Sequence, residues 1–136
     1  MRGIRSRLLD LVSDDNGSSP VEFVLVGTML TALTLAVLQL GLGIYVRNVV
    51  HDAAVEGAYH AALADTSIEE GIARTREIVA RTVGAEYAAD VTARPSTSRG
   101  HETVEVTVRA TLPLVGLLGA PHALEVTADA PVESFD

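Results

Sequence analysis

The residue whose type and position most favour chemistry is Glu22, a carboxylate that stands directly before a long apolar run. A carboxylate at the edge of a membrane helix costs free energy unless a partner compensates its charge. A local partner is available in the backbone. With Ser19 as N-cap and Pro20 as the first helical residue, Glu22 occupies position N3 and completes a capping box.

The apolar run behind Glu22 is the element that must position it. Residues 23–46 are 24 positions without a charged side chain. At about 1.5 Å per residue, a helix of this length reaches roughly 36 Å, enough to cross a bilayer core of ~30 Å. We therefore interpret residues 18–46 as a transmembrane helix in the lipid bilayer. Its clear polar interruptions are Thr28, Thr31, Thr34 and Gln39.

The segment around Glu22 also resembles the processing site of class III signal peptides, which occurs in type IV pilins and pseudopilins. Glu22 is the fifth residue after Gly17, and Phe23 follows it at the start of the apolar helix. The resemblance implies that a membrane aspartic peptidase cuts between Gly17 and Ser18 on the cytoplasmic side. It also implies that Glu22 pairs with the new N-terminal amine of a neighbouring subunit. Such a pair is physically reasonable, because each buried charge lowers the desolvation cost of the other. One glutamate could serve as a cap in the monomer and as a pairing group in the assembly.

The charges on the two sides of the run indicate its orientation. Residues 1–17 form a short polar leader that contains Arg2, Arg5 and Arg7, whereas Arg47 is the one basic residue immediately beyond the run. The positive-inside rule places the N-terminus in the cytoplasm and residues 47–136 outside, as in a single-pass protein of the cell membrane. The leader departs from pilin leaders at positions 14–16, where two aspartates and an asparagine replace the more usual Lys or Arg.

Composition argues against several function classes. The net charge of −8 disfavours nucleic acid as a partner, because phosphate binding needs a basic patch. The sequence contains no cysteine, which excludes disulfides, thiolate metal sites and cysteine catalysis. The four histidines form no pair at the spacing of helical metal ligands, and nucleotide-binding and hydrolase motifs are missing. We expect no metal, no other cofactor and no enzymatic activity.

Small or weakly polar residues recur along one side of the predicted span, at spacings of three and four. Such residues let helix backbones approach closely in lipid, and a glutamine in the stripe could hydrogen-bond across the contact. The alternative is chance, because a span this rich in Gly, Ala and Thr contains some stripe anyway. The packing residues predicted for helix–helix association are Thr28, Ala32, Ala36, Gln39 and Gly43.

Beyond the span, the periodicity predicts that the first helix continues over 47–64. Its stripe of small residues comprises Val46, Val50, Ala53, Gly57, Ala61 and Ala64. A second amphipathic helix is predicted over 67–83, ending at Gly84. It starts with a capping box of either Thr66 with Glu69 or Ser67 with Glu70. The pairs expected on its exposed face are Glu70–Arg74 and Glu77–Arg81.

After the second helix the period changes to two, which predicts three strands at about 88–94, 101–112 and 123–130. Residues 94–100 are a loop by composition, and residues 113–121 are an unusually apolar connection that is either buried or in contact with the membrane or a partner. The second strand places valines on one face and threonines and charges on the other. Three antiparallel strands with one apolar face need helices to cover that face, so the predicted fold class is α+β.

Two stretches carry a more specific resemblance, to TadE-like proteins of the tight-adherence pilus system. They are GSSPVEFVLV at 17–26 and GIYVRNVVHDAAVEGA at 43–58. The resemblance implies a minor pilin or pseudopilin, cleaved after Gly17 by a prepilin peptidase, that helps to assemble or initiate an Flp-type pilus. Its implied partners are other minor pilins, the major Flp pilin and the inner-membrane assembly platform. The alternative is an uncleaved, signal-anchored membrane protein whose outer domain binds an envelope partner.

Overall fold

A computed structural model of the chain describes residues 18–111 and 123–134. The predicted leader 1–17 and the apolar connection 113–121 lie outside the described residues. The described elements are helix α1 (Ser18–Ala62), helix α2 (Ile68–Thr82), a 3₁₀ helix (Ala85–Ala88), and strands β1 (Asp90–Ser98), β2 (His101–Ala110) and β3 (Leu124–Pro131). The described part of the chain divides into two compact units, with the division between Leu38 and Gln39. The predicted α+β class is confirmed.

Helix α1 is one uninterrupted helix of 45 residues, in agreement with the continuous helix predicted from the periodicity. It is long and apolar enough to cross a membrane, and its most apolar window has no buried residue. Three threonines in this part bond back to carbonyls one turn earlier: Thr28 to Val24, Thr31 to Gly27 and Thr34 to Leu30, at 2.8–2.9 Å. Each of these hydroxyl donors is thus satisfied within the helix, as an apolar surrounding requires.

The C-terminal part of α1, residues 46–62, supplies one side of the core of the second unit. Of the six stripe residues predicted there, five are buried: Val46, Val50, Ala53, Gly57 and Ala61. Ala64 is exposed instead, because α1 ends at Ala62. Most of the buried positions of this segment are Ala or Gly, so α1 packs through a narrow, smooth face.

Helices α1 and α2 approach each other at two glycines. A Cβ built on Gly71 would lie 2.7 Å from the carbonyl oxygen of Gly57, and one on Gly57 would lie 2.8 Å from the carbonyl oxygen of Gly71. Real side chains do not fit at such distances, so the two backbones meet directly. The neighbouring buried residue on α2 is Thr75, whose hydroxyl donates to the Gly71 carbonyl at 2.9 Å.

Helix α2 is delimited by two of the predicted signals. Ser67 is the N-cap, and the capping box with Glu70 is complete: the Glu70 carboxylate accepts from the Ser67 amide at 2.8 Å, and the Ser67 hydroxyl accepts from the Glu70 amide at 3.2 Å. At the other end, Gly84 has φ +126 and its amide donates to the carbonyl of Val79. A positive φ favours glycine, so Gly84 ends the helix as expected.

One of the two predicted ion pairs on α2 is wrong. Arg81 does pair with Glu77 at 2.9 Å. The Glu70 carboxylate, however, is engaged in the capping box, and Arg74 reaches across to Glu56 of α1 instead. The i,i+4 rule considers one helix alone, whereas here a second helix offers a better-placed carboxylate.

The three strands form an antiparallel sheet in the order β1-β2-β3. Strand β1 is longer than predicted, because the segment 94–98 continues the ladder and pairs with 101–105. The loop prediction for 94–100 is therefore wrong except at Arg99 and Gly100, which form a two-residue turn with φ of +51 and +84. The composition of this segment, which includes Pro95, favoured a loop. An edge strand nevertheless tolerates a residue that lacks an amide donor.

The apolar face of the sheet is the one predicted. The buried residues on this face of β2 and β3 are Val104, Val106, Val108, Ala110, Leu124, Val126, Ala128 and Ala130. Leu112, also expected there, lies outside the described residues. On the opposite face Thr103 and Thr107 are buried too, because a central strand is flanked by side chains on both sides. Thr107 and Thr127 share a hydrogen bond of 3.2 Å.

Candidate processing and assembly site

The N-terminal end of α1 holds the described part of the predicted processing site. Gly17 lies outside the described residues, and Ser18 is the first residue of the helix. Ser19 is therefore inside the helix and is not its N-cap, so the capping box predicted with Glu22 is wrong. Pro20 lies in the first turn, where its missing amide donor costs no helical hydrogen bond.

Glu22 and Phe23 are both presented to the surroundings at this end. Phe23 is 80% exposed, which is the highest value among the large apolar side chains of the described chain. Glu22 is also exposed, and no described residue forms a hydrogen bond or ion pair with its carboxylate. Glu22 is thus a carboxylate at the end of an apolar helix that does not form the predicted capping box with Ser19.

Of the five residues predicted for helix packing, the three in the first unit, Thr28, Ala32 and Ala36, lie within an arc of about 80° on α1, at 3.6 residues per turn. Thr28, Ala32 and Ala36 are exposed, whereas Gln39 and Gly43, which belong to the second unit, are half-buried. The Thr28 hydroxyl is already bonded within its own helix. What Thr28, Ala32 and Ala36 offer to a neighbouring helix is therefore closeness of approach rather than hydrogen bonds.

A second polar surface lies on the open face of the sheet. It carries two cross-strand ion pairs, Arg94–Glu105 at 2.6 Å and Arg109–Glu125 at 2.9 Å. The hydrogen bond and charge of Glu105 raise the pKa of the Arg94 guanidinium, and those of Glu125 raise the pKa of Arg109. Sequence reasoning placed Glu105, Arg109 and Glu125 on the outer face and Arg94 at the start of a loop, and it did not find the pairs. The missing information was the register, which puts Arg94 opposite Glu105 and Arg109 opposite Glu125.

The histidines that the structure describes are dispersed. His51 lies 3.8 Å from Asp52, and His60 accepts through its backbone carbonyl from the Thr66 hydroxyl. His101 begins β2 at an exposed position. Within 18–111 and 123–134, no three His, Asp or Glu side chains come together as metal ligands.

Comparison with known proteins gives one match. Searches of curated proteins and of solved structures find no significant similarity to the chain. The family model of TadE-like proteins matches residues 17–58, which cover the segment from Gly17 through Glu22, the apolar run and most of the C-terminal part of α1. The resemblance seen in the sequence is thereby confirmed, and residues 17–58 of this chain match the TadE-like protein family.

Proposed function

We propose that the chain is a minor pilin or pseudopilin that is cleaved between Gly17 and Ser18 by a prepilin peptidase and takes part in assembling or initiating a tight-adherence pilus. The observation that carries the proposal is the TadE-like match, which begins at Gly17 and includes Glu22. In this role the chain is a structural subunit and not an enzyme. Its partners are the peptidase, other minor pilins, the major pilin and the assembly platform of the inner membrane.

The proposed topology has one membrane span, with residues 1–17 in the cytoplasm and the α+β unit outside. The apolar helix supports a membrane location. The orientation rests on the three arginines of the leader against a single Arg47 beyond the span. In this orientation the peptidase meets Gly17 on the cytoplasmic side.

Glu22 is assigned the pairing role. Cleavage would make the backbone nitrogen of Ser18 the new N-terminal amine, one helical turn from Glu22, so each subunit would bring one cation and one anion to the same end of α1. The Glu22 carboxylate has no described partner of its own, which leaves it available to the amine of an adjacent subunit. Removing one member of a buried ion pair costs on the order of 3 kcal/mol, or about 100-fold in association.

The test is the N-terminal residue and intact mass of the protein recovered from membranes of its native host. A chain that begins at Ser18 supports processing. A chain that retains residues of the leader refutes it and leaves an uncleaved, signal-anchored protein with a binding domain as the better account.

The pairing role is tested separately by Glu22→Gln, which keeps the shape of the side chain and removes its charge. We expect cleavage to continue and incorporation into fibres to fall about 100-fold. Ser19→Ala is the matched control at the same end of the helix, since Ser19 is not the N-cap. Full incorporation of Glu22→Gln would show that the charge has no role in assembly.

A further inference from the structure

The two edges of the sheet differ in how they are protected. Strand β1 carries Pro95 in its middle, paired with Val104, and a proline at an edge removes a backbone donor from any strand that approaches. Strand β3 has no proline before its last residue, Pro131, and continues without a bulge from Leu124. No described residue bonds to the outer edge of β3. Between the two edges of the described sheet, β3 is the one open to a further strand.

The rows of cross-strand charges on the open face of the sheet both end in a carboxylate at this edge. One row across the strands reads Asp90, Arg109, Glu125, with alternating sign. Another row reads Arg94, Glu105, Asp129, so that two carboxylates stand directly opposite each other at its end. Like charges in that position are destabilising. Glu105 is paired with Arg94, whereas Asp129 forms no ion pair with a described residue.

Two cations on the next strand, one opposite Glu125 and one opposite Asp129, would complete both rows. Glu125 and Asp129 both face outward from β3 and are four positions apart, with Thr127 midway between them. Side chains on one face of a strand recur every second residue, so a neighbouring strand would meet them with residues that are also four apart. On the neighbouring strand, the residue midway between these two positions would lie opposite Thr127, whose hydroxyl shares a hydrogen bond with the Thr107 hydroxyl.

We propose that β3 pairs with an extended segment of a different subunit of the fibre, one that carries two basic residues four positions apart. This inference rests on the proposed function for the existence of a fibre, but its geometry depends only on the sheet. A second copy of this chain is a poor occupant. In the antiparallel register centred on Thr127, Glu125 of one copy meets Asp129 of the other at two places, and the other edge of the copy is blocked by Pro95.

The experiment uses the full chain in lipid nanodiscs and a synthetic nine-residue peptide as the probe. The peptide has Lys at positions 3 and 7, Thr at position 5 and Val at the even positions. Binding is measured by fluorescence anisotropy of a dye on the peptide, and amide hydrogen exchange reports its location. We expect saturable binding that slows exchange at alternate residues of β3 while the amides of α2 keep their rates.

Two further peptides distinguish strand pairing from simple charge attraction. They keep the same side chains but carry N-methyl groups on either the odd or the even backbone amides. In an edge pairing only alternate amides of the added strand point to β3. We therefore expect one of the two peptides to lose binding by more than about 30-fold, while the other stays within a few-fold of the parent, as loss of a row of backbone hydrogen bonds requires. Equal binding of both methylated peptides overturns the proposal.

The charge requirement is tested with Asp129→Lys, which replaces attraction by repulsion opposite one lysine. A cross-strand charge pair is worth up to about 1 kcal/mol, so the reversal predicts a loss of about 5- to 30-fold. Glu69→Lys on α2 is the control with the same change of charge at an exposed site. Exchange in β2 verifies that Asp129→Lys is folded. Equal affinities of the two variants for the peptide refute the charge complementarity. The proposal as a whole is refuted if the parent peptide does not bind at a concentration of about 1 mM, which is on the order of the weakest affinities of interest. None of these outcomes depends on cleavage at Gly17.

Discussion

The contact between Gly57 and Gly71 makes a sharp prediction about stability. Replacing Gly57 with alanine removes a poor helix former from α1, which by itself favours the helix by about 1 kcal/mol. The new methyl group, however, would overlap the Thr75 hydroxyl and stand 2.8 Å from the Gly71 carbonyl oxygen. The helices must separate, or Thr75 must give up its buried hydrogen bond to Gly71. Overpacking costs about 1–3 kcal/mol and a lost buried hydrogen bond about 1–3 kcal/mol.

When both costs apply, and the gain in helix propensity is subtracted, the net expectation for Gly57→Ala is a loss of about 1–5 kcal/mol in the free energy of unfolding of the second unit. For a unit of this size each 1 kcal/mol lowers the midpoint of thermal unfolding by about 4–8 °C. The measurement is heat unfolding of the full chain in detergent micelles, followed by hydrogen exchange of the amides of β2, the central strand. This readout avoids the signal of the apolar part of α1.

Two controls separate the collision from other effects of the substitution. Gly41→Ala makes the same chemical change on the same helix where a Cβ meets nothing within 4 Å, and we expect stability to be unchanged or to rise by up to about 1 kcal/mol. Adding Thr75→Ala to Gly57→Ala removes one of the two colliding groups and should recover part of the loss, as a coupling of about 1–2 kcal/mol. If Gly57→Ala is as stable as Gly41→Ala, the close approach of α1 and α2 is wrong.

Two smaller predictions concern the ends of elements. Ser67→Ala removes the N-cap of α2 and should destabilise the second unit by about 1 kcal/mol, measured by urea unfolding, whereas Ser67→Gly should cost only a few tenths; equal losses would mean that the Ser67 hydroxyl is not the cap. Arg99→Asn places a residue that tolerates positive φ in the β1–β2 turn and should raise the unfolding free energy by about 0.5–1 kcal/mol. A loss of stability in that variant would contradict the positive φ of Arg99.

The sequence predicted the elements whose signal lies within one segment. The long helix, the box of Ser67 and Glu70, the stop at Gly84 and the alternation of β2 and β3 are each encoded by residues a few positions apart, and all are observed. The errors occurred where a distant partner decides the outcome. Arg74 forms its ion pair with Glu56 of α1 and not with Glu70. Residues 94–98 form a strand because they pair with residues 101–105 of β2.

The candidate site shows the same division. The residues of the two stretches 17–26 and 43–58 were sufficient to find the TadE-like segment. These residues were not sufficient to predict whether Glu22 forms a capping box. A helix that is capped by Ser19 and a helix that already includes Ser19 have the same sequence signature. The acidic edge of β3 was also not predicted, because only the order and register of the three strands put β3 at an edge and Asp129 opposite Glu105.

The hydroxyl groups of Thr28, Thr31 and Thr34 have a consequence for the energetics of moving α1 between surroundings. Each hydroxyl keeps its hydrogen bond to a carbonyl of the same helix, whatever lies around it. Replacing lipid by protein around these residues therefore exchanges one apolar contact for another and breaks none of these bonds. In the proposed role, the passage of a subunit from membrane to fibre would then be close to neutral over this part of the helix. The direction of transfer would be decided at Glu22 and by the domain outside.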